Sequence, residues 1–412
     1  GQSFTVSINV SADGPLQEGR DWIRYSDTLA PYSNAKLLTF ERNKGFALDK
    51  QYIFDIELSS AGAEVVTLQQ RVRGTKTNSN MHFGAFAHDL APSLFNDNTL
   101  HRLRSNFIHA ETAASEIAIH AKRKARYDDV YYALTPAKET PALNDNADQL
   151  NLLTYNIWAL PLISKDIKER LKALPAYIQG YDVLLLQEAF SNHRDALFLE
   201  LAKTYPYQTR MLDKDGVNVH DGGVIIFSRF PIIDEAQAIF PDCADADCLS
   251  DKGINYAAVN KNGRVYHVFA THTASFDTPA ARSYRQKQFQ QMHDFAQNLG
   301  IPASETVIYA GDLNVNKLQF IDDYNTMLTT LDSSEPDYAG YTLATFDRRV
   351  NIHATSTLSG GTREYLDYVL LSNKHKTMTT NINTVKVPRS SHTDFWQLWD
   401  FSDHFPVAAT LQ

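Results

Sequence analysis

The chain has 412 residues, 43 % of them hydrophobic and 21 % charged, with a formal net charge of −9. That length supports two or three domains with a sizeable core. The acidic balance excludes a protein whose affinity comes from blanket neutralisation of nucleic-acid phosphates, and no apolar run approaches the length needed to span a bilayer.

Residues 1–135 read as strands. Phe4, Val6, Ile8 and Val10 alternate with Thr5, Ser7, Asn9 and Ser11. Tyr52, Phe54, Ile56 and Leu58 repeat the pattern, as do Val66, Leu68 and Val72, then Ile117 and Ile119, and Val130 to Leu134 adds a last run. A period of two with one apolar face predicts an all-β N-terminal domain, a β-sandwich. The basic run Lys122-Arg123-Lys124-Ala125-Arg126 reads as a solvated hairpin end or a contact with anionic headgroups. Asn96-Asp97-Asn98 lacks the rest of a calcium-loop spacing and reads as a turn. Residues 136–148 are polar and proline-containing and read as a linker.

From 149 to 412 strands and helices alternate. Leu150 to Tyr155 is a strand; Ile163, Ile167, Leu171, Leu174 and Ile178 recur at helical spacing; Val183 to Leu186 is a strand apolar on both faces. Asn192 stands where it would cap the next helix, and Val224 to Phe227 follows as a strand. After the strand Val265 to Thr271, Thr278 and Pro279 open a long helix that Gly300 and Pro302 close. The two cysteines, Cys243 and Cys248, have no histidine near them and make a poor zinc site. A short local disulfide, which implies an oxidising compartment, is expected over two free thiols.

Polar residues stand where the apolar strands end. Asn156 follows Leu152-Leu153-Thr154-Tyr155, Glu188 follows Val183 to Gln187, and His272 follows Val268-Phe269-Ala270-Thr271. Asp312 and Asn314 follow Val307-Ile308-Tyr309-Ala310-Gly311, where Gly311 permits a close bend, and Asp403-His404 precedes Phe405-Pro406-Val407. Singly, each has a plain structural reading: a strand stop, a helix cap, a hydrogen-bonded core histidine, an Asx turn. Together, so many ionisable and amide groups at strand ends predict a reaction centre.

These motifs resemble a known family. Thr154-Tyr155-Asn156-Ile157-Trp158, Leu186-Gln187-Glu188, Ala270-Thr271-His272, Ala310-Gly311-Asp312-Leu313-Asn314, Tyr365-Leu366-Asp367-Tyr368 and Ser402-Asp403-His404-Phe405-Pro406-Val407 resemble the endonuclease/exonuclease/phosphatase superfamily. Leu160-Pro161 after Trp158, Asp221-Gly222-Gly223 and Leu249-Ser250-Asp251-Lys252-Gly253 favour its neutral sphingomyelinase branch, secreted bacterial sphingomyelinase C in particular. The resemblance covers residues 150–412 and implies a DNase I-like four-layer α/β sandwich that cleaves sphingomyelin to ceramide and phosphocholine outside the cell.

The resemblance also implies roles. Glu188 is the principal magnesium ligand, helped by Asn156 and Asp403, with manganese or cobalt as substitutes. His404 is the general base, and Asp312 orients it or holds a second metal. Asn314 donates to a phosphoryl oxygen, and His272 is a cation at the phosphate. Asp367 and Asp221 support this set, and Asp347, after Phe346, has no assigned role. The aromatic run around Trp396 and Trp399 is either a membrane contact or core packing. The partner is a sphingomyelin-containing membrane surface, with no nucleic acid expected. The alternatives are a phospholipase C acting on phosphatidylcholine, a DNase I-like nuclease, and a non-catalytic adhesin or binding protein.

Overall fold

The computed structural model describes residues 141–213, 221–242, 249–340, 342–354, 363–390 and 400–412 throughout; before residue 141 it describes residues 17–20, 22–25 and the backbone of nine strands. These strands are β1 (Phe4–Ser11), β2 (Trp22–Arg24), β3 (Thr28–Leu29), β4 (Asn34–Glu41), β5 (Gln51–Ser59), β6 (Glu64–Gly74), β7 (Ala87–Asp89), β8 (Leu100–Ile108) and β9 (Ala125–Pro136). They pair in two sheets, of order β3-β1-β5-β8 and β2-β4-β9-β6-β7. The alternating runs at 4–11, 52–58, 66–72 and 130–134 fall on these strands. Ile117, Ile119, Lys122, Asn96, Cys243 and Cys248 lie outside the described residues, and so does the disulfide expected between the two cysteines.

Glu139–Pro388 together with Asp400–Gln412 forms a separate compact unit. Its elements are β10 (Leu150–Asn156), α1 (Ile167–Ala173), β11 (Val183–Gln187), α2 (Arg194–Leu201), β12 (Tyr207–Gln208), β13 (Ile225–Ser228), β14 (Ile232–Ile239), β15 (Gly253–Lys261), β16 (Arg264–His272), α3 (Pro279–Asn298), β17 (Thr306–Asp312), α4 (Ile321–Thr330), β18 (Asp337–Gly340), β19 (Phe346–Asp347), β20 (Arg363–Glu364), β21 (Asp367–Leu371), β22 (Asn381–Val385) and β23 (Val407–Leu411). A seven-stranded sheet runs β12-β13-β11-β10-β23-β22-β18, a five-stranded sheet runs β14-β15-β16-β17-β21, and β19 pairs with β20.

The period of two explains the layering. In β10, Leu150 and Leu152 join the core shared with the five-stranded sheet, whereas Leu153 and Tyr155 turn to the opposite face. There they pack with Leu171 of α1 and Leu197 and Leu201 of α2. Phe289 and Met292 of α3 and Tyr324 and Met327 of α4 pack in the other core, with Phe269 and Tyr309. Helices, sheet, sheet and helices therefore stack as an α/β sandwich.

Local signals act as read in α3. The Thr278 hydroxyl accepts from the Ala281 N–H at 3.2 Å, Pro279 takes the first helical position, and Gly300 has a positive φ. Two expectations fail. Ile163 is exposed, in a turn closed by Ser164 N–H to Leu160 O at 2.9 Å, and α1 begins only at Ile167. Asn192 does not cap α2: His193 holds that position, without a side-chain bond.

Residues 144–148, expected to end a free linker, and Gln149 after them are strapped to the β15–β16 hairpin. Buried Lys261 Nζ donates to Gln149 O at 2.7 Å, Asn144 Oδ1 at 3.3 Å and Asp182 Oδ2 at 2.7 Å. Tyr266 OH donates to Ala147 O at 2.6 Å, and Arg264 Nη1 to Asp148 Oδ1 at 2.6 Å. A chain starting at residue 149 loses the Asn144, Ala147 and Asp148 partners that a chain starting at residue 141 keeps. The hydrogen bonds are worth about 2 kcal/mol together, so the shorter chain is expected to melt about 4–8 °C lower by circular dichroism. Equal melting temperatures would show that the strap adds nothing.

Candidate active site

The site lies where the ends of the two sheets meet. In the five-stranded sheet the register sets His272 of β16 beside Asp312 of β17, and Asp312 beside Asp367 of β21. Neighbouring strands lie about 4.8 Å apart, so three side chains of one row are within reach of one another. In the seven-stranded sheet Asn156 pairs with Gln187, and Glu188 is the next residue. The Ser402-Asp403-His404 turn leads into β23, which borders β10. Close approach at the β16–β17 pair depends on Gly311: its φ is +138° and a Cβ there would meet Thr271 O at 2.0 Å. Glu188 and Asn314 also adopt positive φ, 54° and 51°. That is uncommon for a glutamate and costs about 1 kcal/mol or more.

One amide joins the sheets. Asn156 Nδ2 donates to Glu188 Oε1 at 3.0 Å and to Asp312 Oδ2 at 3.0 Å, while its Oδ1 accepts from the Trp158 N–H at 3.0 Å. Asn156 was expected to offer an oxygen to a metal. As placed it offers N–H to two carboxylates, because its oxygen is engaged by the backbone. Ser402 Oγ donates to Asn156 O at 2.6 Å and accepts from the His404 N–H at 3.1 Å, which ties the last turn to the same strand end.

The two histidines share Asp312 but differ in charge. His404 Nδ1 lies 2.9 Å from Asp367 Oδ2, and its Nε2 lies 3.8 Å from Asp312 Oδ2. Burial alone would lower its pKa, but Asp367 and Asp312 outweigh it and hold the ring well above the ordinary imidazole value. His272 Nε2 lies 3.5 Å from Asp312 Oδ2 and 3.2 Å from Lys252 Nζ. Burial first, then the Lys252 ammonium, push it down to about 3. The expected cationic His272 is therefore neutral here, and the cation beside it is Lys252. Lys252 also donates to Thr273 O at 2.8 Å and Ser275 Oγ at 2.9 Å; Thr273 O accepts from Asn314 Nδ2 at 3.2 Å as well.

The carboxylates carry uncompensated negative charge. Burial, then Asp403, push Glu188 up to about 7 despite its bond from Asn156. Burial likewise raises Asp403, against the pull of His404 and Arg170. Asp367 Oδ1 is buried without a hydrogen-bond partner. Ligand atoms of Asp312, Asp367 and His404 all lie within 4.8 Å of one another. Crowded hard oxygens fit a small divalent cation such as magnesium.

Of the remaining expected residues, Asp221 stays outside this cluster. It pairs with Arg194 at 2.8 Å and accepts from the Gly223 N–H at 3.0 Å, and Gly223 O receives the Ala189 N–H at 3.0 Å. It thus braces the turn after Glu188. Asp347 binds Arg349 at 2.7 Å within its own loop, while Phe346 sets its ring 5.7 Å from the His404 ring. Trp396 and Trp399 lie outside the described residues. Sequence reasoning gave no role to Lys252, Arg170, Arg285 or Thr345; the Thr345 hydroxyl accepts the Leu366 and Asp367 N–H groups at 2.9 and 3.3 Å.

Residues 153–404 match the model of the Endonuclease/Exonuclease/phosphatase family. The chain belongs to that family. It is 33 % identical over 303 residues to Sphingomyelinase C of Bacillus cereus, covering 65 % of this chain and 90 % of the relative. The crystal structure of Sphingomyelinase C from Streptomyces griseocarneus superposes with a TM-score of 0.59 at 33 % identity, over 64 % of this chain and 99 % of that one. A double mutant of beta toxin from Staphylococcus aureus with bound magnesium ions gives a TM-score of 0.59 at 31 % identity, over 63 % and 99 %. The resemblance read from the motifs, and the α/β sandwich it implies, are borne out, and the chain is an enzyme of the phosphodiesterase type.

Asp367 is the nearest anion to His404, so Asp367→Asn should lower the His404 pKa. With burial then opposed chiefly by Asp312 and Asp403, the ring should lose its proton at lower pH than in the unaltered protein. A histidine titration by NMR in metal-free protein checks this; an unmoved His404 titration would place its charge under another control.

Proposed function

We propose that the enzyme is a secreted, magnesium-dependent sphingomyelin phosphodiesterase that releases phosphocholine and ceramide. The observation that carries the reading is the double row of groups at the sheet junction: Asn156 between Glu188 and Asp312 on one side, the Asp367–His404 pair and Lys252 on the other. Likeness to sphingomyelinase C proteins and to a magnesium-bound relative supports the substrate class and the metal.

Glu188 and Asp403 would hold the magnesium, with Asn156 keeping Glu188 apart from Asp312. The metal, when bound, neutralises phosphate charge and offsets the carboxylate field that keeps His404 protonated. His404 Nε2 then accepts a proton from the attacking water, its ring fixed through Nδ1 by Asp367. Asn314 would donate its second amide N–H to a phosphoryl oxygen, and the Lys252 ammonium, held by Thr273 O and Ser275 Oγ, would act there through its charge, so that charge developing there meets fixed groups. Water oxygen bonds to phosphorus as the bond to the ceramide oxygen breaks; that oxygen takes up a proton from solvent, which recovers one when His404 releases its own. Manganese or cobalt would substitute for magnesium because carboxylate and water ligands also suit other divalent first-row ions.

The bilayer surface is the substrate's phase. A net charge of −9 offers no general attraction to anionic lipid, so Trp396 and Trp399 are proposed as apolar anchors. The strands before residue 137 are proposed as an independent β-sandwich domain.

Phosphocholine release from sphingomyelin and phosphatidylcholine vesicles, with and without EDTA and beside a DNA-nicking control, tests the reading. Release from sphingomyelin, lost in EDTA and restored by magnesium, is expected. Preference for phosphatidylcholine or DNA would select the phospholipase or nuclease alternative, and no turnover of any of the three would overturn the proposed substrate. His404→Ala should lower turnover about 10²–10⁴-fold, the usual worth of a general base.

The tryptophans generate a separate expectation. Each aromatic side chain moved into the interface gains about 1–3 kcal/mol, so replacing both by alanine should weaken vesicle affinity at least about tenfold. Hydrolysis of a monomeric soluble analogue should be spared; loss of both activities with early unfolding would mark the rings as core.

A further inference from the structure

Two arginines that take no part in the proposed chemistry lie buried behind the site, one under each sheet. Arg170 of α1 donates to Ile157 O at 3.0 Å, Trp158 O at 2.7 Å, Lys165 O at 2.8 Å and to Phe401 O. The Trp158 ring lies 5.1 Å from its guanidinium. These carbonyls belong to the segment leaving Asn156 and to the segment entering Asp403-His404. Arg285 of α3 repeats the device on the other sheet. It donates to Ala274 O at 3.0 Å and to Phe276 O, and it pairs with Asp277 at 2.9 Å. Gln288, one turn on, accepts the Ala274 N–H at 2.8 Å. Ala274 adjoins Thr273, whose carbonyl receives both Lys252 and Asn314.

A buried guanidinium is expensive, and an apolar side chain would fill either position at lower cost. What arginine alone supplies is a rigid planar fork that fixes several carbonyls at once. The two forks hold different halves of the site: one the segment entering Asp403 and the segment after Asn156, whose Ala159 N–H meets Glu188 O at 3.1 Å, the other the loop beneath Lys252 and His272.

We propose that Arg170 and Arg285 are paired positioning residues, Arg170 setting the metal-binding half of the site and Arg285 the phosphate-binding half. This rests on the reading of Glu188 as the metal anchor.

The test is magnesium binding by calorimetry together with kcat and KM on a soluble short-chain sphingomyelin, for Arg170→Lys and Arg285→Lys. Lysine keeps the charge and removes the fork. Loss of such a supporting contact typically costs roughly 10–100-fold in metal affinity or activity. Arg170→Lys should lose that much magnesium affinity with KM little changed. Arg285→Lys should keep magnesium affinity within about twofold and lose kcat by a comparable factor. Gln288→Leu frees the Ala274 N–H without touching a buried charge and should give the Arg285 pattern at smaller size, even if an arginine variant fails to fold. Folded variants that match the unaltered protein in both readouts, or lose both in equal proportion, would reduce the arginines to packing. Glu188→Gln separates the two levels: unchanged calorimetric binding there overturns the metal assignment itself, independently of the arginines.

Discussion

The Asn156 amide holds apart two carboxylates that the fold forces together. Glu188 comes from one sheet and Asp312 from the other, and each accepts one N–H of the same group at 3.0 Å. Two strands ending in oxygen ligands cannot meet at a dry junction without a donor between them, because each buried anion repels the other. The amide and the His404 ring supply donors, yet burial and Asp403 still push Glu188 up to about 7. Since that value lies above the ordinary glutamate value, the folded chain binds this proton more tightly than the unfolded chain does. The stabilisation is present at low pH and fades as pH rises from about 4.5 to 7. A bound dication would remove the need for the proton, so the crowding that costs stability as the pH rises would also favour a metal.

The same crowding separates the histidines. Both stand near Asp312, at 3.5 and 3.8 Å, and both are buried. The difference is the second neighbour. Asp367 on one side of His404 adds an anion, whereas Lys252 beside His272 adds a cation. The family resemblance made His404 the base and His272 the cation; their surroundings assign the charges the other way round. Asp367, which opens β21 37 residues upstream of His404, and Lys252, just before β15 and 20 residues upstream of His272, set the two apart.

What the sequence made legible were features with local causes. Apolar runs that end in a polar residue became β10, β11, β16 and β17, with Asn156, Glu188, His272 and Asp312 at their ends. Thr278, Pro279 and Gly300 bounded α3 because capping chemistry lies within a few residues. Features whose causes are distant stayed hidden. Arg170 and Arg285 drew no reading at all, since nothing nearby in sequence reveals that their partners are carbonyls at positions 157, 158, 274, 276 and 401. Ile163 carried the right spacing for a helix, but a closed turn at Leu160 to Ser164 prevailed. The direction of the Asn156 amide was likewise invisible, being set by the Trp158 N–H.

The arrangement also bears on how strain is carried. Glu188 and Asn314 hold positive φ in a chain that would relax if it were free to do so. Each is pinned from outside its own strand. The Glu188 carbonyl accepts the Ala159 N–H at 3.1 Å, and Ala189 is held by Gly223, itself braced by Asp221. Asn314 is held through Thr273 and through its own N–H to Asp312 Oδ1 at 3.1 Å. Both pins run through the loops that the helix arginines anchor or adjoin. Ala159 follows Trp158, a carbonyl partner of Arg170, and Thr273 precedes Ala274, a carbonyl partner of Arg285. The strained turns that aim the reactive groups are thus kept by helices on the far faces of the sheets. A residue with no access to substrate can therefore govern where the substrate's phosphate would be met.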